Sequence, residues 1–220
     1  MNTSPKFTAL TADLYAYLAA QNPEPDEVLR DLARETSELG PMGNWQVAVE
    51  QGALLTLLAR LLGARRAVEV GTFTGYAAIS IARGLASGGQ LRCCEVDPKL
   101  AAIAQRYFTR AALSDRIVLQ VAPALQTLRA LPPDPVIDFA FIDADKKHYG
   151  DYYEELVPRV RPNGLIVIDN VLWKSRVIDP GDPHRSTQAI RALNEALVRD
   201  RRVEAVMLAV ADGITLARKR

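Results

Sequence analysis

The hydrophobic pattern changes character once along the chain. From Arg66 onward, short and nearly continuous apolar runs cover residues 67–70, 91–96, 117–121, 136–142, 165–168 and 203–210. Runs that are apolar on both alternating faces fit parallel strands buried from both sides. Between them, apolar residues recur at helical spacing over 77–85, 99–113, 149–160 and 187–198. Strand–helix alternation of this kind predicts a doubly wound, mostly parallel α/β sheet. The end departs from it. Asp212-Gly213 joins two apolar runs, a hairpin signal that predicts an antiparallel seventh strand at the C-terminus.

Before Arg66 the pattern reads as helical throughout. One helix is expected over 8–20, broken by Asn22-Pro23-Glu24-Pro25, and a second over 26–39, stopped by Gly40-Pro41. A third sets Val47, Leu54, Leu58, Leu61 and Leu62 on one face and stops at Gly63. With no repeat, low-complexity tract or long linker, the expectation is one domain over 1–220: a helical segment, 1–63, followed by the sheet, 64–220.

Composition narrows the function classes. A formal net charge of +1 gives no electrostatic case for nucleic acid or an acidic membrane. The start, MNTSPKFTAL, has no charged region followed by an apolar run, and no apolar stretch reaches the ~20 residues of a membrane span. The two cysteines, Cys93 and Cys94, are adjacent in a predicted strand and so point to opposite faces. They read as small buried hydrophobes in a reducing cytoplasm.

Ligands of such sheets bind at the carboxyl ends of strands, near the switch in strand order. The first strand ends in Glu69-Val70-Gly71-Thr72-Phe73-Thr74-Gly75-Tyr76. Its glycines permit a tight turn and close approach to a ligand, but the spacing is not G-x-G-x-x-G. With Glu69 beside it, a pyrophosphate is disfavoured, and an amino-acid tail with a sulfonium cation suits the acid better. The second strand ends in Glu95-Val96-Asp97-Pro98. Glu95 is placed to accept hydrogen bonds from ribose hydroxyls, which serves NAD and S-adenosylmethionine alike. Asp97 reads as the cap of the helix that Pro98 opens. Val121-Ala122-Pro123-Ala124 offers small residues that could flank an adenine.

The fourth strand ends Asp143-Ala144-Asp145-Lys146 and the fifth Asp169-Asn170. If these strands are neighbours, ~4.8 Å apart, Asp143 and Asp169 converge beside the Asn170 amide oxygen. Two carboxylates and an amide make a hard oxygen set, suited to Mg²⁺ foremost, or Mn²⁺ or Ca²⁺, and not to zinc. Ordinary helix-capping acids are the alternative.

Taken together, Glu69–Tyr76, Glu95–Asp97, Phe141–Lys146 and Ile168–Trp173 resemble the metal-dependent O-methyltransferases of the catechol and caffeoyl-CoA type. The resemblance runs from about Met42 to the C-terminus. It implies a Rossmann-like methyltransferase fold and S-adenosylmethionine as cofactor. It further implies that Asp143, Asp169 and Asn170 hold a divalent metal, that Lys146 is the general base and that Glu95 binds ribose. Gly71 and Glu69 would then shape the methionine end, with Thr72, Tyr76, Ala77, Ala122 and Asp143 lining the cofactor and Met42 near the sulfonium. Many relatives carry a serine at Ala77 to bond the cofactor carboxylate; here Thr72 or a backbone N–H would replace it. The expected acceptor is a small aromatic diol, and the expected assembly is a homodimer in the cytoplasm, with no nucleic acid or membrane partner. His148 and His184 read as surface residues, and Trp173 either walls the acceptor site or packs. An NAD-dependent oxidoreductase and a non-catalytic S-adenosylmethionine-binding protein are the rival readings.

Overall fold

The structure, a computed structural model, describes residues 6–220. Residues 1–5, which belong to the expected leaderless start, helical segment and domain, lie outside the described residues. The strands are β1 (Arg66–Val70), β2 (Gln90–Glu95), β3 (Ile117–Val121), β4 (Ile137–Ile142), β5 (Val160–Asp169), β6 (Val203–Leu208) and β7 (Ile214–Lys219). They form one seven-stranded sheet in the order β3-β2-β1-β4-β5-β7-β6. Pairing is parallel from β3 through β5, and β7 runs antiparallel to both β5 and β6. The hairpin expected at Asp212-Gly213 is therefore present. The order reverses between β1 and β4, so the carboxyl ends of those two strands flank the switch point.

The helices are α1 (Ala12–Ala20), α2 (Glu27–Ser37), α3 (Val49–Leu61), α4 (Tyr76–Gly84), α5 (Pro98–Arg110), α6 (Ala124–Arg129), α7 (Tyr149–Leu156) and α8 (Arg185–Arg199). Two apolar layers cover the sheet. Ala67, Leu91, Cys93, Phe139 and Phe141 pack with α2 to α5. Val68, Val70, Ala140, Ile142 and Ile166 pack with α7 and α8 on the other face. The strict alternation along each strand is the period-2 geometry of a pleated sheet. It sends Cys93 and Cys94 to opposite faces, both buried and both free thiols.

Local sequence accounts for the helix ends. Asp26 caps α2 by accepting from the Leu29 N–H at 3.1 Å and pairs with Arg83 at 2.5 Å, which ties α2 to α4. Asp97 caps α5 by accepting from the Lys99 N–H at 2.7 Å, with Pro98 at the first helical position. The expected face of α3 and the expected end of β6 both change. In α3 the buried residues include Gln51, Gly52, Leu55 and Ala59, whereas Leu61 is 74% exposed. The face expected from leucine spacing is rotated, because Gly52 lets α3 approach Tyr76 and Ser80 of α4. The run expected as a strand to Val210 ends at Leu208, since Ala211 and Gly213 take positive φ to make the turn.

Candidate active site

The loop from β1 to α4 is built by its glycines. Gly71 has φ +94°, and a Cβ there would stand 1.9 Å from the Asp143 carbonyl oxygen. The loop backbone thus lies directly against the end of β4, which only glycine permits. Gly75 (φ +98°) turns the chain into α4 and leaves that helix without a side-chain cap. The Thr72 hydroxyl donates to the Cys94 carbonyl at 3.3 Å, so it is engaged with the sheet. Tyr76 and Ala77 are buried in the first turn of α4. The first backbone N–H groups of that helix have no intrahelical partners, which makes its N-terminus a natural carboxylate acceptor site.

Glu69, at 0% exposure, lies beneath this loop, and neither of its carboxylate oxygens has a hydrogen-bond partner. Burial pushes its carboxyl up to about 8; the Thr72 hydroxyl and Cys93 thiol lie near enough to temper the rise without reaching hydrogen-bond geometry. A buried, unpartnered acid at the switch point suits a cation delivered by a ligand. Glu95, at the end of β2, is more fully engaged. Its Oε1 accepts from the Val96 and Asp97 N–H groups at 2.8 and 2.9 Å, and its Oε2 from the Phe73 N–H at 2.7 Å. Oε2 keeps one lone pair for a ligand hydroxyl. The half-buried Ala122 stands beside it, its N–H donating to the Glu95 carbonyl at 2.9 Å.

The neighbouring strands β4 and β5 bring the acids together. Their register pairs Ile142 with Ile168, so Asp143 and Asp169 leave the sheet side by side. Lys146 turns back over them from three residues on. Its Nζ donates to Asp143 Oδ1 at 2.7 Å and to the Tyr149 hydroxyl at 2.5 Å. It also sits 4.7 Å from the centre of the Tyr149 ring and 5.8 Å from that of Trp173, within cation–π range of both. Burial and the charge of Asp143 raise the Asp169 carboxyl well above its usual range. Asn170 follows with φ +55°, a left-handed conformation that asparagine tolerates.

These residues fit a divalent cation by their donor chemistry. Two acids brought together, one buried and one partly buried, are relieved by a positive charge, and carboxylate with amide oxygen is a hard set. The bonds that Asp143 and Asp169 make inside the chain fall on Oδ1 of each. Among the described residues no three His, Cys, Asp or Glu side chains gather as a metal cage, and a cation between the two acids would need a further oxygen such as the Asn170 amide.

Some residues of the site carry no mark in the sequence. Gln51 of α3, 3% exposed, donates to Asp169 Oδ1 at 2.8 Å from 118 positions away. Tyr149, fully buried, holds Lys146. In the short 3₁₀ turn Gly40–Trp45, Met42 is 38% exposed, and the Trp45 ring lies 6.0 Å from that of Phe73 in the glycine loop. His148, expected to lack a partner, bonds Asp145 at 2.5 Å, and the Tyr152 hydroxyl donates to the same acid. His184 is exposed at the start of α8, as expected. Trp173 lies partly buried beside Lys146, with its indole N–H buried and unpartnered.

A family profile described as O-methyltransferase matches residues 19–220. The chain belongs to this O-methyltransferase family. It is 36% identical over 209 residues to the mouse catechol O-methyltransferase domain-containing protein 1, covering 94% of this chain and 79% of that protein. It is 34% identical over 219 residues to caffeoyl-CoA O-methyltransferase 2 of maize, covering 94% and 83%. Among solved structures, an O-methyltransferase from Bacillus cereus in complex with SAH superposes with a TM-score of 0.85 at 33% identity, covering 93% of this chain and 96% of that one. The O-methyltransferase TomG from Streptomyces achromogenes, in complex with SAM, gives 0.86 at 32% identity, covering 94% and 96%. As expected for an O-methyltransferase of this family, the sheet is mostly parallel and closes on an antiparallel hairpin.

Proposed function

We propose that this O-methyltransferase moves a methyl group from S-adenosylmethionine to one hydroxyl of a catechol-like acceptor, with a divalent metal held by Asp143, Asp169 and Asn170. The observation that carries the reading is the convergence of the buried Asp169 and the partly buried Asp143 at the ends of adjacent strands, with the Lys146 side chain on Asp143. Relatives named for SAM, SAH, catechol and caffeoyl-CoA support the donor and the acceptor class.

The roles of the chain's own residues follow from their places. Glu95 Oε2 accepts from a ribose hydroxyl, with Ala122 beside it. Glu69 meets the amino group of the methionine tail, and the α4 N-terminus receives its carboxylate, since Ala77 has no hydroxyl and Thr72 is engaged. Gly71 lets the tail approach the backbone. When bound, the sulfonium supplies an electrophilic methyl, and a divalent cation makes a hydroxyl in contact with it more acidic. Lys146, held by Tyr149, accepts the acceptor's proton once its own ammonium proton has left. Trp173 walls the acceptor. Little barrier then remains beyond alignment of oxygen and methyl.

The same reading makes the protein a cytoplasmic homodimer. No residue of α1 is buried, and Tyr17, Leu18, Leu57 and Leu61 are exposed on or near the N-terminal helices, an apolar surface that a second copy would cover. Among the described residues no helix is long and apolar enough to cross a membrane.

Asp169→Ala tests the metal arm. Catechol turnover is expected to vanish while SAH affinity, measured by calorimetry, stays within about twofold, because the cofactor residues sit on other strand ends. Retained turnover would remove Asp169 from the mechanism.

A further inference from the structure

Asp169 does not stand alone at the end of β5. Its Oδ1 receives two donors: the Asn170 N–H at 2.7 Å and the side-chain amide of Gln51 at 2.8 Å. Gln51 lies in the first turn of α3 and is 3% exposed. Its own Oε1 accepts from the Ala48 N–H at 2.9 Å, the last residue before the helix. That bond decides the orientation of the amide. With oxygen turned to a backbone donor, nitrogen must face the carboxylate. A buried glutamine bonded at both ends has little rotamer freedom.

We infer that Gln51 is a positioning residue for the metal centre: it saturates Oδ1 of Asp169 and thereby presents Oδ2 to the cation. The inference rests on the metal reading above and adds a residue that lies far from the site in sequence. Its physical basis is geometric. A carboxylate free to rotate offers a cation either oxygen in many orientations. One whose Oδ1 carries two donors offers a single atom along a fixed direction. Partners that orient metal ligands in this way commonly change metal affinity by ~10–100-fold when removed. Gln51 also donates without carrying charge, so it adds no positive group that would compete with the ion for Asp169.

The position gives the N-terminal segment a hold on the chemistry. Ala48 and Gln51 belong to the stretch that leads the 3₁₀ turn Gly40–Trp45 into α3, and the turn touches the glycine loop through Trp45 and Phe73. The α2 end is fixed to the same loop by the buried Thr36–Thr74 hydroxyl bond at 2.8 Å. One short segment therefore reaches both the cofactor loop and Asp169.

The test uses the whole chain as wild type, Gln51→Met and Gln51→Ala. Methionine keeps the length and removes the donor; alanine serves if methionine does not pack. Mn²⁺ binding is titrated by electron paramagnetic resonance with SAH present, and SAH affinity is measured by calorimetry without metal. The expected result is a ~10–100-fold weaker Mn²⁺ affinity with SAH affinity unchanged. Turnover is expected to recover at high Mn²⁺, so that the apparent metal constant rises more than kcat falls. Equal Mn²⁺ affinity in wild type and variants overturns the positioning role alone. Equal loss of SAH and Mn²⁺ binding in both variants overturns it too, since that is general damage to the fold. A wild type that binds no Mn²⁺ overturns the metal reading and this role with it.

Discussion

Glu69→Gln should abolish a loss of stability that the ligand-free protein suffers at alkaline pH, and should make it poorer at holding its cofactor. The wild-type carboxyl is wholly buried, has no hydrogen-bond partner, and is pushed by burial from 4.5 up to about 8. Below pH 4.5 the group is neutral in folded and unfolded chains alike. As pH climbs from 4.5 toward 8, the unfolded chain ionises it while the folded chain does not, so stability falls across that window and levels off above it. At about 1.4 kcal/mol per pH unit, the loss between pH 5 and pH 8.5 has a ceiling of about 4 kcal/mol. Relaxation and water entry in a real interior bring the expected value to ~2–4 kcal/mol. Glutamine cannot ionise, so it removes this dependence on pH. Any cost of burying the amide is the same at both pH values and drops out of the comparison. Urea unfolding of both proteins at pH 5 and pH 8.5 reads the difference directly. SAH calorimetry at pH 8.5 should show a loss of ~1–3 kcal/mol, the usual cost of stripping a charged hydrogen-bond partner. A stability difference that is the same at both pH values would refute the reasoning, as would undiminished SAH affinity.

Two further outcomes are expected. Lys146→Ala should lower kcat by ~10²–10⁴, the usual share of general acid–base catalysis, with SAH affinity unchanged and residual activity rising with pH; full activity at neutral pH in a methyl-transfer assay removes Lys146 as the base. Sedimentation at micromolar concentration should give twice the 24.1 kDa of one chain, and a mass near 24.1 kDa refutes the homodimer.

What the sequence made legible and what it hid divide along a physical line. Strands buried on both faces leave continuous apolar runs, and the loop glycines leave a mark wherever positive φ is required, so the sheet, its hairpin and the strand ends bearing Glu69, Glu95, Asp143 and Asp169 were readable. The short helix α6 (Ala124–Arg129) was not, because six residues behind Pro123 carry too little periodicity. The start of β5 at Val160 was hidden by Pro162, Asn163 and Gly164, which read as a turn; Val160 pairs with Ile137 all the same. The same strand shortened the expected helix over 149–160 to end at Leu156. Helical spacing alone could not orient α3, since packing is decided by the small residues that let two helices touch, and there Gly52 outweighs Leu61. Gln51 and Trp45 had no local signal at all. A glutamine in a helix and a tryptophan in a turn gain meaning only from partners brought close by the fold, Asp169 in one case and Phe73 in the other.

The central claim is that the paired acids, a divalent cation and Lys146 work together on a vicinal aromatic diol. The most direct measurement is methyl transfer from S-adenosylmethionine to a panel of catechols and hydroxycinnamoyl esters by chelator-stripped protein, before and after Mg²⁺ is restored. The account predicts no turnover when stripped, recovery with Mg²⁺, and preference for vicinal diols over their singly methylated or single-hydroxyl counterparts. Undiminished turnover in excess chelator, or equal rates on single phenols, would contradict it.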